Sequence, residues 1–169
     1  MRSAADLIDH KRNREPMKLS GSDGQSFELT ILGYQFPNMN TEDFDSNWLI
    51  IQLDVHHPKG HWRSRDPCLL TYEVERLANF LEQVSRNEKV DAEEHFIEPN
   101  LKFRLLTPGS KDEKMRIYFE LECRPSWAPS DTVGMEDLWV EFPVLEINLE
   151  LAAQSLRDQL SIYPQRATV

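Results

Sequence analysis

The amino-acid sequence predicts an α+β fold, in which a curved antiparallel β-sheet of about six or seven strands packs with two amphipathic helices. Three observations lead to this prediction. Short segments with alternating apolar and polar residues recur along the chain, as in half-buried strands. Two other segments carry apolar residues at three- and four-residue steps, as in helices with one buried face. The order is strands, helix, strands, helix with short connections, which favours antiparallel pairing.

Three strands are predicted before the first helix. Alternation begins at Phe27 and continues through Ile31, and the segment NWLIIQLDVHH forms the second alternating run. The turn HPKG follows, because its proline and glycine interrupt regular structure. The next segment, HWRSR, is predicted to return as a third strand that ends near Asp66–Pro67.

The segment TYEVERLANFLEQVSRN predicts a helix of about four turns. Its apolar residues recur at helical spacing, and charged residues occupy the other side. These apolar residues are Val74, Leu77, Ala78, Leu81 and Val84. Thr71 is predicted as the N-cap, because a threonine hydroxyl can accept a backbone N–H in the first turn.

Four more strands and a second helix follow. EHFIEPNLKFRLLTPGS is predicted as two strands that pivot at Pro99–Asn100, and LWVEFPV as a strand whose Pro143 suggests an edge or an end. KMRIYFELECRP has the clearest alternation, with Met115 and its alternate neighbours inward. Its outward residues are predicted to be Arg116, Tyr118, Glu120 and Glu122. NLELAAQSLRDQLSIYP is predicted as the second helix, capped by Asn148 and ending before Pro164.

These elements predict one α+β domain over residues 17–165, with a polar N-terminal extension (1–16) and a C-terminal tail (166–169). The extension carries basic residues but lacks the apolar segment of a secretory signal. No run approaches the roughly 18 apolar residues of a membrane helix. We therefore expect a cytoplasmic protein without a membrane partner. Cys68 and Cys123 each lie beside apolar residues and are expected to be reduced and buried.

The net charge of −10 is segregated along the chain. Residues 19–58 and 125–156 contain no Lys or Arg, and together they hold twelve of the 29 acidic residues. The rest of the chain holds all 19 Lys and Arg and is close to neutral. This pattern repels nucleic-acid backbones and attracts basic partners. The alternative is that the acidity serves solubility alone.

A search for catalytic motifs identifies no catalytic residue. The sequence lacks both a glycine-rich turn between a strand and a helix and a GxSxG motif. A metal-dependent hydrolase is an alternative function, because Asp54 and His56 share a strand face and His61 lies nearby. A strand pair supplies few ligands, so solvated histidines near a hairpin tip are the simpler interpretation. We therefore expect neither a metal nor a cofactor.

Five segments, in order, resemble the bacterial WapI-type immunity proteins: LGYQFPN, SNWLIIQLDV, WRSRDPCLLTYEVERLANFLEQV, IEPNLKFRL and YFELECRPSW. Each segment is a short fold signature, and the resemblance depends on the order of the whole set. It runs from about Phe27 to Pro164. Residues 1–16 and the loop at 38–45 lie outside it.

The resemblance implies a non-enzymatic antidote that binds and blocks a cognate toxin domain, often a nuclease, in the cytoplasm of the producing cell. A nuclease domain is basic around the cleft that holds phosphates, and an acidic protein can occupy such a cleft through the same attraction. The expected partner is therefore a basic toxin domain. The remaining alternative is an acidic structural or adaptor domain.

Six acidic residues on two loops are predicted to contact that partner: Glu42, Asp43, Asp45, Asp131, Glu136 and Asp137. A second set matches the family-like segments and is expected to determine the fold. It comprises Tyr34, Phe36, Asn47, Trp48, Asp66, Pro67, Glu98, Pro99, Asn100 and Trp127. Within this set, Asp66 is expected to accept backbone N–H bonds at the helix entry, and Asn100 to suit the turn after Pro99.

Overall fold

The predicted α+β class is confirmed by a computed structural model, which describes residues 15–39 and 41–166. Most of the predicted N-terminal extension (residues 1–14) and of the tail (167–169) lies outside the described residues. Within the described part, two α-helices accompany two four-stranded antiparallel sheets.

The first sheet has the order β1-β2-β3-β4 and the second has the order β5-β6-β7-β8. The strands of the first are β1 (Met17–Ser20), β2 (Ser26–Tyr34), β3 (Trp48–His57) and β4 (Gly60–Leu70). Those of the second are β5 (Glu93–His95), β6 (Leu101–Leu106), β7 (Lys114–Phe119) and β8 (Trp139–Pro143). Helix α1 (Thr71–Ser85) connects the two sheets, and helix α2 (Leu149–Ile162) follows β8.

The structure contains one strand more than the seven that the sequence analysis assigned, and this additional strand is β1. Its sequence, MKLS, shows only two apolar residues, which is too short for a periodic signal. Met17 and Leu19 are nevertheless fully buried, and β1 pairs with the start of β2. Tertiary packing therefore forms this strand.

Strand β4 continues past the predicted end at Asp66–Pro67 to Leu70. The pairing register shifts between Leu49 and Ile51, so β4 carries a bulge in which Pro67 and Cys68 lie opposite the single residue Ile50 of β3. A bulge leaves local backbone groups outside the ladder, and proline can therefore occupy the strand without breaking a required hydrogen bond.

Strand β7 ends at Phe119, earlier than predicted, and Leu121–Cys123 form a 3₁₀ turn in which Leu121 has a φ of 47°. Tyr118 lies on the outward side of β7, as predicted, but both Tyr118 and Glu120 are buried and not exposed. Cationic side chains cover the Tyr118 ring, with Lys102 Nζ 4.8 Å from its centroid. Among the described residues, Glu120 Oε2 has no hydrogen-bond partner.

Both sheets and both helices contribute to one hydrophobic cluster. Phe27 of the first sheet meets Phe103 of the second edge to face, with ring centroids 5.8 Å apart. Trp62 packs against Phe119 in the same way, at 5.0 Å. Cys68 and Cys123 are buried, free thiols, as expected. The Cys68 thiol donates a hydrogen bond to Cys123, and this bond together with burial raises the pKa of Cys68.

The two helix starts differ from each other in how they are capped. Asn148 caps α2 as predicted, since its side chain accepts the Leu151 N–H at 2.9 Å. Thr71 is the first residue of α1 and not its cap. The Glu73 carboxylate accepts the N–H groups of Leu70 (3.0 Å) and Ile97 (2.8 Å), and so it satisfies the helix entry from inside the first turn.

Candidate partner-binding surface

The first acidic loop, residues 35–47, connects β2 to β3 and contains the exposed residues Glu42, Asp43 and Asp45. The Asp45 carboxylate accepts the Trp48 indole N–H at 3.3 Å. Two aromatic side chains of the same loop are also exposed, Phe36 by 38% and Phe44 by 44%. The loop therefore presents both carboxylates and apolar area to a partner.

Arg166 holds this loop from the end of the described chain. Its guanidinium donates to the backbone carbonyls of Phe36 (3.0 Å), Pro37 (3.1 Å) and Met39 (3.0 Å). The same group lies 4.4 Å from the centroid of the Tyr34 ring. These contacts restrict the backbone that precedes the three acids. Sequence reasoning missed Arg166, because 127 to 130 positions separate it from its carbonyl partners.

Asn47 anchors the other end of the loop. It is fully buried, and its side-chain oxygen accepts the Thr71 hydroxyl (2.8 Å) and the Arg166 N–H (2.8 Å). Asn47 thereby joins β3, α1 and the C-terminal segment at one point. These hydrogen bonds are buried, and the fold-determining role of Asn47 stays a prediction.

The second acidic loop, residues 125–138, has two of its three predicted contact residues in ion pairs. Glu136 pairs with Arg104 at 2.8 Å and with Lys102, and these two hydrogen-bonded cations lower the pKa of Glu136 to about 2. Arg124 pairs with Asp137 at 2.8 Å and lowers the pKa of that carboxyl. The remaining acid, Asp131, is exposed. The fold itself therefore neutralises much of the charge of this loop.

The structure places the two acidic loops at opposite ends of the β3–β4 hairpin. The first loop leads into Trp48, the first residue of β3. In the second loop, Trp127 packs on the hairpin tip, where its ring centroid lies 6.0 Å from that of His57. Lys59 of the tip also contributes to the lowered pKa of Asp137. Ten residues of strand separate the two ends, a length of roughly 30 Å.

The remaining fold-determining candidates are distributed over the molecule. The Tyr34 hydroxyl donates to the Pro164 carbonyl at 2.6 Å. Asn100, in the turn after Pro99, is buried and donates to Glu122 at 2.9 Å. Phe36 and Trp127, by contrast, are 38% and 43% exposed, so a part of each is available for contact.

Asp66 has a different environment from the one expected. It lies within β4 opposite Ile51, and Glu73 rather than Asp66 accepts the N–H at the helix entry. Burial, followed by repulsion from Glu122 and Glu98, raises the pKa of Asp66 to about 6. The negative charges of Glu98 and Glu122 thus act unfavourably on an ionised Asp66.

The β3–β4 hairpin carries the histidine cluster on its outward face. His61 Nε2 lies 2.7 Å from Asp54 Oδ1, and His56 Nε2 lies 3.7 Å from the same oxygen. Arg63 binds the other carboxylate oxygen, Oδ2, at 2.7 Å. Burial acts to raise the pKa of Asp54, but hydrogen bonds from Arg63 and His61 outweigh it and lower the pKa.

The first acidic loop has the features of a protein-binding surface, in which exposed aromatic residues are bordered by charged ones on a restrained backbone. The chain belongs to the WapI-like immunity protein family, whose family model matches residues 18–164. The predicted resemblance is therefore confirmed over most of the chain. Membership in an immunity protein family supports a toxin-neutralising role and implies a toxin as partner.

No curated protein and no solved structure matches the chain. In the part of the chain that the structure describes, neither helix has the length and apolar character needed to cross a membrane.

Proposed function

We propose that this protein is a non-enzymatic inhibitor that binds a basic, nuclease-type toxin domain in the cytoplasm of the producing cell through the first acidic loop. The observation that carries this proposal is the exposure of Glu42, Asp43 and Asp45 together with Phe36 and Phe44 on one restrained loop.

Charge distribution favours the first acidic loop over the second. In the second loop, Glu136 and Asp137 pair with arginine side chains of the same chain. The first loop lies within a 40-residue segment that contains no Lys or Arg, and Arg166, which comes from outside this segment, binds carbonyl groups of the loop backbone. A concentrated negative field of this kind raises association rates with a basic partner by about 10- to 1000-fold, and salt reduces the gain.

The exposed aromatic residues of the first acidic loop can contribute binding free energy that electrostatic attraction alone does not provide. Electrostatic attraction steers a partner, whereas buried aromatic anchors contribute most of the binding free energy at protein interfaces. Phe44 contacts Tyr72 of α1, with ring centroids 6.1 Å apart, and this contact restrains the Phe44 side chain while part of it stays exposed. The carboxylates would occupy phosphate-binding positions of the toxin, and Phe44 would fill an adjoining apolar pocket.

The second acidic loop stays a predicted contact region. One of its acids, Asp131, is exposed and is followed in sequence by the exposed apolar residues Val133 and Met135. Because this loop lies at the other end of the hairpin, a toxin domain that contacts both loops would have to span roughly 30 Å.

The test uses the C-terminal domain of the protein encoded by the adjacent upstream gene, which we expect to be the basic toxin domain. Its association rate with this protein, measured by stopped-flow fluorescence, should fall at least tenfold between 50 and 500 mM salt. Its nuclease activity should be abolished at a one-to-one ratio. Absence of binding at low salt, or binding without loss of toxin activity, would contradict the proposal.

A further inference from the structure

We propose that Asp54, His56 and His61 form a binding site for one divalent transition-metal ion of the zinc type on the outward face of the β3–β4 hairpin. This inference is independent of the first acidic loop, which lies at the other end of the hairpin. It concerns ion binding only and requires no catalytic step.

Strand geometry brings the three side chains together. Asp54 and His56 are two positions apart on β3 and therefore lie on the same face of the sheet. His61 is the direct cross-strand partner of His56 in the antiparallel register. The two imidazole rings stack with centroids 4.1 Å apart and an interplanar angle of 19°.

The ligand atoms have the spacing that a metal ion can use. One carboxylate oxygen and two imidazole nitrogens lie within 4.8 Å of one another. Ligands that bind one zinc ion tetrahedrally at 2.0–2.2 Å lie about 3.3 Å apart. The side chains of His56 and His61 are 55% and 48% exposed, so small side-chain rotations can close the difference.

The chemistry of the ligands selects the type of ion. Two neutral imidazoles with one carboxylate suit zinc and its neighbours, whereas Mg²⁺ and Ca²⁺ prefer oxygen ligands alone. Three protein ligands on an exposed face also leave a fourth position for water.

Arg63 orients the Asp54 carboxylate so that one of its oxygens can bind the metal ion. Its Nε and Nη2 donate to Asp54 Oδ2 at 3.0 and 2.7 Å, which leaves Oδ1 directed toward the imidazoles. Metal ligands are commonly fixed in this way by a hydrogen bond to the atom that does not coordinate. The positive charge of Arg63 also opposes a cation, so we expect micromolar rather than nanomolar affinity.

Calorimetric titration of the full chain with Zn²⁺ tests the proposal. We expect one ion per chain with a Kd of about 1–50 μM, and no heat of binding with Mg²⁺. His56→Ala and His61→Ala should each weaken Zn²⁺ binding at least tenfold. His95→Ala removes an exposed histidine elsewhere, on β5, and should leave the affinity unchanged.

A second measurement keeps the test independent of variant folding. In the wild-type protein, Zn²⁺ should shift the NMR signals of the His56 and His61 side chains and leave those of His95 in place. No binding up to 1 mM Zn²⁺, or binding that persists in the double variant His56→Ala/His61→Ala, would overturn the proposal.

Discussion

Arg104 and Glu136 form a two-pronged ion pair across 32 sequence positions, with Nη1–Oε2 and Nη2–Oε1 distances of 2.8 and 2.9 Å. Lys102 contacts the same carboxylate. The backbone of Glu136 has a φ of 51°, a left-handed conformation that costs energy for a non-glycine residue. The ion pair therefore fixes the second acidic loop on the outer face of the second sheet, between β6 and β8.

Glu136→Gln should destabilise the protein by about 1 kcal/mol at pH 7. The substitution removes the charge and retains the backbone strain, and the partial exposure of the pair limits the loss. The folded-state pKa of about 2 lies below the ordinary value of 4.5, so this stabilisation is present above pH 4.5 and is lost as the pH falls toward 2. Urea denaturation of both proteins at pH 7 and pH 2.5 measures this difference. A difference that stays constant between these pH values would show that charge pairing is not its source.

Reversal of the first acidic loop by the triple substitution Glu42→Lys, Asp43→Lys and Asp45→Lys should slow toxin association about tenfold or more at low salt. The three side chains are exposed, so the fold should persist. Stopped-flow association and circular dichroism measure the two effects. The control variant carries Glu75→Lys, Glu88→Lys and Asp91→Lys, which change the net charge equally at other exposed positions. Equal slowing in both variants would indicate a net-charge effect without a defined contact.

Arg166→Ala should loosen the first acidic loop without unfolding the protein. The variant loses three hydrogen bonds to loop carbonyls and the stacking on Tyr34, and we expect faster amide hydrogen exchange in residues 36–47. Arg166→Lys should restore little, because an ammonium group cannot reproduce the planar fork. Arg65→Ala, which removes a guanidinium bound to Gln52, serves as the control. Unchanged exchange in the Arg166→Ala loop would show that other contacts hold it.

Gln159→Leu should cost about 2–3 kcal/mol of unfolding free energy. The buried amide of Gln159 accepts the Ile31 N–H at 2.7 Å and donates to the Leu29 carbonyl at 3.2 Å. Leucine would leave both backbone groups buried without a partner. Gln154→Leu, at an exposed position of the same helix, should change stability by less than about 0.5 kcal/mol. Equal urea midpoints for the two variants would show that the hydrogen bonds of Gln159 to Ile31 and Leu29 do not stabilise the fold.

Asp66→Asn should stabilise the protein by about 1 kcal/mol at pH 7.5. The folded-state pKa of about 6 lies above the ordinary 3.8, so the aspartate costs stability as the pH rises through this range. The gain should shrink as the pH falls from 7.5 to 4, because the folded-state carboxyl is then protonated and the unfolded-state carboxyl is about half protonated. Thermal unfolding between pH 4 and 8 measures the stability gain of Asp66→Asn, with Asp91→Asn as a control at an exposed position. A gain that persists at pH 4 would point to a steric cause.

Local signals were sufficient for most of the regular structure. The helical spacing from Val74 to Val84 and the alternation from Leu49 to Val55 each reflect one buried face, and these elements formed where predicted. The exposure of Glu42, Asp43 and Asp45 also followed from a polar loop between two strands. Such features depend on neighbours within a few residues.

Features that depend on distant residues were not predictable. The restraint of the first acidic loop by Arg166 and the neutralisation of Glu136 by Arg104 join positions far apart in sequence. Neither Arg166 nor Arg104 lies in a local sequence motif that would identify its distant partner. Alternation along β7 predicted the side on which Tyr118 lies but not its burial. It cannot reveal that cationic side chains will cover that side.

The amide of Gln159 occupies the place that another strand would take along β2, past the point where β1 stops. An uncovered backbone ladder is a template onto which a second polypeptide can add in extended form, and this addition begins the growth of fibrils. The Gln159 side chain thus blocks strand addition along this stretch of β2, which leads into the loop that exposes Phe36 and Phe44.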